Sequence, residues 1–298
     1  MNVSGIFPAL TTPFKADGSV SLAGMKHNIG FYNQTGLAGY VVLGSTGEAV
    51  MVSRDEADQI LAAVKETAAP GKILIAGTGA ESTAETIART KRAASLGYQV
   101  ALVKTPYYYK PIYRGEHFLQ HYRAVADASP IPVLLYSVPF FTNITLETPE
   151  ILALAQHPNV IGIKDSSGSL QRIAEVVAGA PKHFQVLTGG APVVYPCLAM
   201  GGRGAILALA DLLPEKCVEL YQLFQQGRHE QARDLQLQLA VASKRVLSEH
   251  GIPGLKYGME LRGYQGGVPR SPLLPMKEDQ KHQIAAIVGQ LHPAAARV

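Results

Sequence analysis

Val160-Ile161-Gly162-Ile163-Lys164-Asp165-Ser166-Ser167-Gly168 is the stretch that decides how this chain is read. A run of Val and Ile asks for cover on both faces, as a strand inside a parallel sheet receives. Lys164 interrupts the run near its carboxyl end, and an Asp-Ser-Ser-Gly turn follows. Lysine is seldom fully buried. Where an amine is desolvated, its neutral form gains on the ammonium and becomes a nucleophile for carbonyl carbons. The competing reading leaves Lys164 at a strand end, solvated or paired with Asp165.

The same pattern repeats on both sides of this stretch. Apolar runs predict strands over 5–13, 39–43, 72–76, 99–104, 132–136, 160–164, 184–187 and 204–208. Helical spacing fills the intervals at 22–34, 53–68, 82–96, 116–128, 149–156, 170–177, 193–200 and 214–226. Ser53 followed by Glu56 is a capping box, and Gly97 is a helix stop. Strand and helix alternate about eight times, the number that closes a parallel (β/α)8 barrel, the TIM barrel of α/β proteins, in roughly 250 residues. An open doubly wound sheet is the runner-up. No Gly-x-Gly-x-x-Gly follows the first strand, which counts against it. The expected division is a catalytic barrel over 1–227 and a C-terminal helical appendage over 228–298. The appendage is read as a helix over 231–250, a turn at 251–254, a segment over 255–261, a last helix over 277–291 and a frayed tail from Pro293 to Ala296.

The 298 residues are 47% hydrophobic and 17% charged, enough apolar material for a large core. The formal charge is +4, but Lys and Arg form no blocks, so no nucleic-acid footprint is expected. No basic-then-apolar leader opens the chain, and no run approaches the roughly 18 apolar residues of a membrane helix. A soluble, cytoplasmic protein with no membrane partner is expected. Cys197 and Cys217 fit no zinc spacing and read as buried free thiols of a reducing compartment.

In such a barrel the chemistry lies at the carboxyl ends of the strands. Ser45 and Thr46 fall at the end of the second strand, Tyr107 and Tyr108 at the fourth, Tyr136 at the fifth and Lys164 at the sixth. Each alone has an ordinary structural reading, a turn or a core tyrosine with a polar tip. Together they surround one amine. Imine formation removes a proton from the amine and delivers one to the departing hydroxyl, and a tyrosine relayed through a hydroxyl such as Ser45 can do both. The backbone amides of Ser45-Thr46-Gly47 can form a small nest for a carboxylate. The imine then serves as an electron sink, so that an adjacent bond breaks or forms without a metal.

Gly44-Ser45-Thr46-Gly47-Glu48, Tyr107-Tyr108 after Pro106, Tyr136-x-Val138-Pro139 and Ile163-Lys164-Asp165 resemble the dihydrodipicolinate synthase/N-acetylneuraminate lyase family. The resemblance runs from Gly5 to about Pro275. It implies a (β/α)8 class I aldolase that takes up or releases pyruvate. Lys164 would form the Schiff base, Tyr136 would shuttle protons and Ser45 would relay them. Tyr108 would complete a neighbour's site across a tight dimer. Ser45, Thr46 and Gly47 would hold the substrate carboxylate, with Ile206 and Gly189 lining the pocket. No cofactor or metal is implied. The partners would be pyruvate, an aldehyde and further copies of the chain, in a homotetramer built as a dimer of dimers.

Within that resemblance, synthases carry an arginine two residues after the Tyr-x-x-Pro proline, where this chain has Phe141. A phenylalanine cannot make a bidentate carboxylate contact. Tyr136-Ser137-Val138-Pro139, Thr188-Gly189-Gly190, the 250–256 segment and Gly263-Tyr264-Gln265-Gly266-Gly267 look more like 4-hydroxy-2-oxoglutarate aldolase. That aldolase is the expected activity. The alternatives are a 4-hydroxy-tetrahydrodipicolinate synthase condensing pyruvate with aspartate semialdehyde, an aromatic hydratase-aldolase admitted by Phe140 and Phe141, or a non-catalytic 2-oxo-acid sensor.

Other signals weigh less. His117 and His121 stand one helical turn apart but read as a solvated helix face rather than a metal site. Gly201-Gly202-Arg203-Gly204 reads as a tight turn more than a phosphate cradle. Lys104 is the rival amine, lacking the apolar run around Lys164. Asp165 reads as a turn cap or ion-pair partner before a base.

Overall fold

The computed structural model describes residues 1–291. Eight strands form one sheet: β1 Gly5–Pro8, β2 Gly39–Val42, β3 Ile73–Gly77, β4 Val100–Lys104, β5 Val133–Ser137, β6 Val160–Asp165, β7 Gln185–Thr188 and β8 Gly204–Leu207. Their order is β1-β8-β7-β6-β5-β4-β3-β2, and the pairs from β3 through β8 are parallel. Just past β1, Ala9 bridges Val41 of β2 in parallel. Each strand thus neighbours its successor and the first neighbours the last, which an open doubly wound sheet cannot do. This is the expected (β/α)8 fold, with helices between the strands and a helical C-terminal region.

Most strands are buried along their whole length, as their Val, Ile and Leu runs require. Gly162 sits inside β6 for a steric reason: a Cβ there would lie 2.1 Å from the Gln185 carbonyl oxygen on β7. The helix Arg54–Thr67 has the expected capping box, Ser53 and Glu56 each accepting the other's backbone N–H. Cys197 and Cys217 are free and buried. Burial pushes the Cys197 thiol up to about 12 and Cys217 higher still, so neither is a reactive thiolate.

The chain resolves into two compact units, Met1–Gly5 with Ile73–Ile206, and Ile6–Lys72 with the segment from Leu207 onward. The first packs β4 to β7 against their own helices, with Phe118, Tyr122, Val125, Ile151 and Leu154 among the buried side chains.

Three expectations need correction. The first strand ends at Pro8 rather than Pro13, because beyond it the chain makes isolated bridges, Ala9 to Val41 and Phe14 to Val20 and Val268, in place of a continuous ladder. The helix expected over 231–250 is instead His229–Ser243, a π-helical turn Lys244–Ser248 and Glu249–Glu260. The turn expected at 251–254 is a kink inside that last helix, centred on Gly251 at φ 61° and ψ −151°. Pro253 lacks an N–H, and the break at Gly251 lets the chain run on in helical form. Two short helices, Pro139–Thr142 and Leu209–Leu212, are too brief for periodicity to reveal. The tail reading at Pro293 to Ala296 lies outside the described residues.

Candidate active site

Lys164 is the fifth residue of β6 and is 3% exposed. Across the β5–β6 ladder its Cα partner is Tyr136, and across β4–β5 the partner of Tyr136 is Lys104. Paired residues on parallel strands share a face, so Lys104, Tyr136 and Lys164 form one row over three consecutive strands. The Lys164 Nζ lies 4.2 Å from the centroid of the buried Tyr136 ring. An amine over an aromatic face is held by the ring quadrupole. Lys164 has no hydrogen bond or ion pair to another described residue.

Asp165, the carboxylate next in sequence, is engaged elsewhere. Its Oδ1 accepts from the Ser167 N–H at 2.6 Å, and its Oδ2 lies 3.9 Å from the Arg172 guanidinium. It therefore caps the turn and pairs with arginine. Its main-chain oxygen accepts from Gly189 N–H at 2.6 Å, which seats the β7 turn beside β6. A Cβ on Gly189 would lie 1.9 Å from Ser166 Oγ and 3.0 Å from Lys164 Cε. The Gly-Gly turn thus leaves the lysine stem its room. Ile206 is fully buried on β8.

Lys104 differs from Lys164. Its Nζ stands 3.4 Å from Glu81 and 4.5 Å from the Tyr107 ring centroid. Burial lowers its pKa, and Glu81 opposes that shift. It is an amine already matched to a carboxylate. Tyr108 and Tyr109 are 71% and 60% exposed, their rings edge to face at 5.1 Å. Phe140 and Phe141, on the short helix after β5, are also exposed and edge to face at 5.0 Å.

The Ser45-Thr46-Gly47 loop leaves the end of β2 in the second unit. Leu43 and Glu48 take positive φ, 60° and 55°, on its two sides. The Gly47 N–H and Glu48 N–H donate to Gly44 and Ser45 oxygens, each at 3.1 Å, and Gly47 oxygen accepts from Thr12 Oγ1 at 2.7 Å. Glu48 anchors the loop from beneath. It is buried and ion-paired with buried Lys256 at 2.5 Å, and its Oε2 accepts from the Arg270 N–H at 2.7 Å. Lys256 also donates to Val268 oxygen at 2.8 Å, and both Lys256 and Arg270 stack on Phe14. Sequence reasoning missed this anchor. Lys256 stands in a helix that also carries Glu249, His250 and Glu260, so nothing in the local pattern set it apart.

His117 and His121 do not face a shared ligand. His117 Nδ1 accepts from Arg114 N–H, and His121 Nδ1 is bonded to Thr83 Oγ1 at 2.9 Å. His121 is buried rather than solvated, contrary to expectation, because the helix turns it toward the core. Arg203 and Gly204 lead directly into β8, where Gly5 N–H donates to Arg203 oxygen, the tight-turn reading.

Residues 2–291 match the model of the dihydrodipicolinate synthetase family. A 4-hydroxy-tetrahydrodipicolinate synthase of Exiguobacterium is 34% identical over 289 residues, covering 97% of this chain and 98% of the relative. The synthase of Methanothrix thermoacetophila is 33% identical over 288 residues, covering 96% of each. The crystal structure of a dihydrodipicolinate synthase from Bacillus anthracis superposes with a TM-score of 0.92 at 26% identity, over 97% of this chain and 98% of that one. These names favour the synthase alternative over the 4-hydroxy-2-oxoglutarate aldolase expected from the motifs.

Proposed function

Because the chain belongs to the dihydrodipicolinate synthetase family, whose members are Schiff-base class I lyases, we propose that it joins pyruvate to an aldehyde through an imine on Lys164. The observation that carries this reading is a buried amine with no carboxylate partner among the described residues, seated on a tyrosine ring one strand away. The Lys164 amine attacks the ketone carbon of pyruvate and the carbinolamine loses water. The iminium withdraws electrons from the neighbouring carbon, which gives up a proton and becomes an enamine nucleophile. That carbon then bonds to the aldehyde, and water returns the lysine. Tyr136 moves the protons of these steps, with Ser45 as relay and Tyr108 of a neighbouring copy as the next group in line. Thr46 N–H offers a backbone donor to the pyruvate carboxylate, while the Gly47 N–H, expected to join it, is turned inward onto the Gly44 oxygen and shapes the loop instead. Ile206 and Gly189 shape the pocket wall. On this reading the chain works as a homotetramer built as a dimer of dimers, the arrangement that brings Tyr108 to a neighbour's site.

Aspartate semialdehyde is the aldehyde the relatives' names support. A second reading has its own observation. Phe141 is 57% exposed where a synthase arginine was expected, so this position offers no charge for a second carboxylate. On that reading the chain cleaves a 4-hydroxy-2-oxo acid to pyruvate and an aldehyde. One pair of assays separates them: condensation of pyruvate with aspartate semialdehyde, and pyruvate release from 4-hydroxy-2-oxoglutarate. The larger kcat/KM identifies the activity. Turnover in neither, with pyruvate still bound, leaves the sensor.

A further inference from the structure

Glu81 lies outside the row of Lys104, Tyr136 and Lys164, yet it organises the segment that leaves the row. The chain exits β4 at Lys104 and passes through Thr105-Pro106 to Tyr107 and Tyr108. Pro106 has no N–H, so the next two donors are those of Tyr107 and Tyr108. Both go to one oxygen: Glu81 Oε2 accepts from Tyr107 N–H at 2.9 Å and from Tyr108 N–H at 2.8 Å. The other oxygen, Oε1, pairs with Lys104 Nζ at 3.4 Å, and that amine also covers the Tyr107 ring. One carboxylate thus ties the tyrosine segment to the first residue of the row.

Fixing this backbone has a conformational cost. The side chain it presents, Tyr108, is 71% exposed and buries little in return. Charge-assisted hydrogen bonds to two successive amides are the strong kind. Their effect is to fix the direction in which an outward phenol points.

We propose that Glu81 is a positioning residue for the reaction, holding the Tyr107–Tyr108 backbone so that the Tyr108 phenol is delivered to its place. This rests on the reading of Tyr108 as a proton-transfer group. Lys104 is the brace that keeps the Glu81 carboxylate turned toward the two amides, which gives the rival lysine a role other than imine formation.

The test uses the full-length enzyme with pyruvate plus aspartate semialdehyde, and with 4-hydroxy-2-oxoglutarate. Glu81→Ala should lower kcat by roughly 10- to 100-fold, the scale of a misplaced reacting group, with KM for pyruvate within about twofold. Glu81→Gln keeps an acceptor oxygen and should recover most of that loss. In the double variant Glu81→Ala/Tyr108→Phe, kcat should match Tyr108→Phe alone, because one residue acts through the other. Losses that multiply, or an unchanged kcat in Glu81→Ala, overturn the proposal. Amide hydrogen exchange gives a readout free of substrate: Glu81→Ala should speed exchange at Tyr107 and Tyr108 about tenfold or more while β5 and β6 keep their protection. Unchanged exchange at those two amides also overturns it. Failure of wild-type enzyme to form any borohydride-trapped pyruvate adduct would instead sink the imine reading itself, and the exchange result would still decide the anchoring role of Glu81.

Discussion

Lys164 and Lys256 are buried to nearly the same degree, 3% and 1% exposed, and their surroundings are opposite. Lys256, in the second unit, has a full set of partners: Glu48 at 2.5 Å, Val268 oxygen at 2.8 Å and the Phe14 ring. Among the described residues, Lys164, in the first, has only the face of Tyr136. A buried charge with a complete partner set is architecture, and removing one member strands the other. A buried amine with no carboxylate on it is free to be taken by a carbonyl. Burial alone would not have distinguished them; the partner list does. Lys104 shows the intermediate case, part-buried and shared between Glu81 and Tyr107.

The contrast breaks most sharply under substitution. Lys164→Met should abolish turnover, by about 10⁴-fold or more in kcat, since no other group supplies the nucleophile. Its melting temperature should stay level or rise, because an unpartnered buried amine is exchanged for an apolar chain of similar length. Lys256→Met should do the reverse at the level of stability. It leaves the Glu48 carboxylate buried without its cation, a loss of about 3–5 kcal/mol in denaturant unfolding. Adding Glu48→Gln should return part of that stability, since the stranded charge is then gone.

A smaller effect separates the two units by pH. Burial, reinforced by the nearby Lys104 charge, lowers the His121 pKa in the first unit to about 4. The unfolded chain takes up that proton near pH 6.5, so between 6.5 and 4 it binds more protons than the folded one. The contribution is complete above pH 6.5 and is lost as pH falls toward 4, on the order of 3 kcal/mol. His121→Gln should flatten the slope of unfolding free energy across that window. In the second unit the Arg270 guanidinium holds Glu56 down to about 2. That support is complete above about pH 4.5 and is lost only as pH falls toward 2. Amide protection factors, which remove the intrinsic pH dependence of exchange, should therefore fall around His121 before they fall around Glu56 as pH is lowered.

The sequence showed far more of the sheet than of the anchors. Apolar runs such as Val100–Lys104 and Val160–Asp165 carry their own strand signal and match the structure to within a residue. The row of Tyr136 and Lys164 was legible because both close consecutive strands at the same depth. The helical break near Gly251 was read as a turn, because Gly and Pro say that regularity fails without saying how the chain recovers. Glu48 with Lys256, and Glu81 with Tyr107 and Tyr108, were not legible. Those pairings are set by tertiary approach over many intervening residues, and no local pattern marks them. Phe141 pulls the substrate reading the other way. Together with the 136–139, 188–190, 250–256 and 263–267 motifs it weighed toward the aldolase, while relatives over nearly the full length carry the synthase name.

The central claim is that the Lys164 amine condenses with a 2-oxo acid. Wild-type protein incubated with pyruvate and borohydride, then digested and analysed by mass spectrometry, should carry a single reduced pyruvate adduct on Lys164. The adduct should be absent from Lys164→Met and unaffected in Lys104→Met. An adduct on Lys104, or full turnover with Lys164 unmodified, would contradict the account.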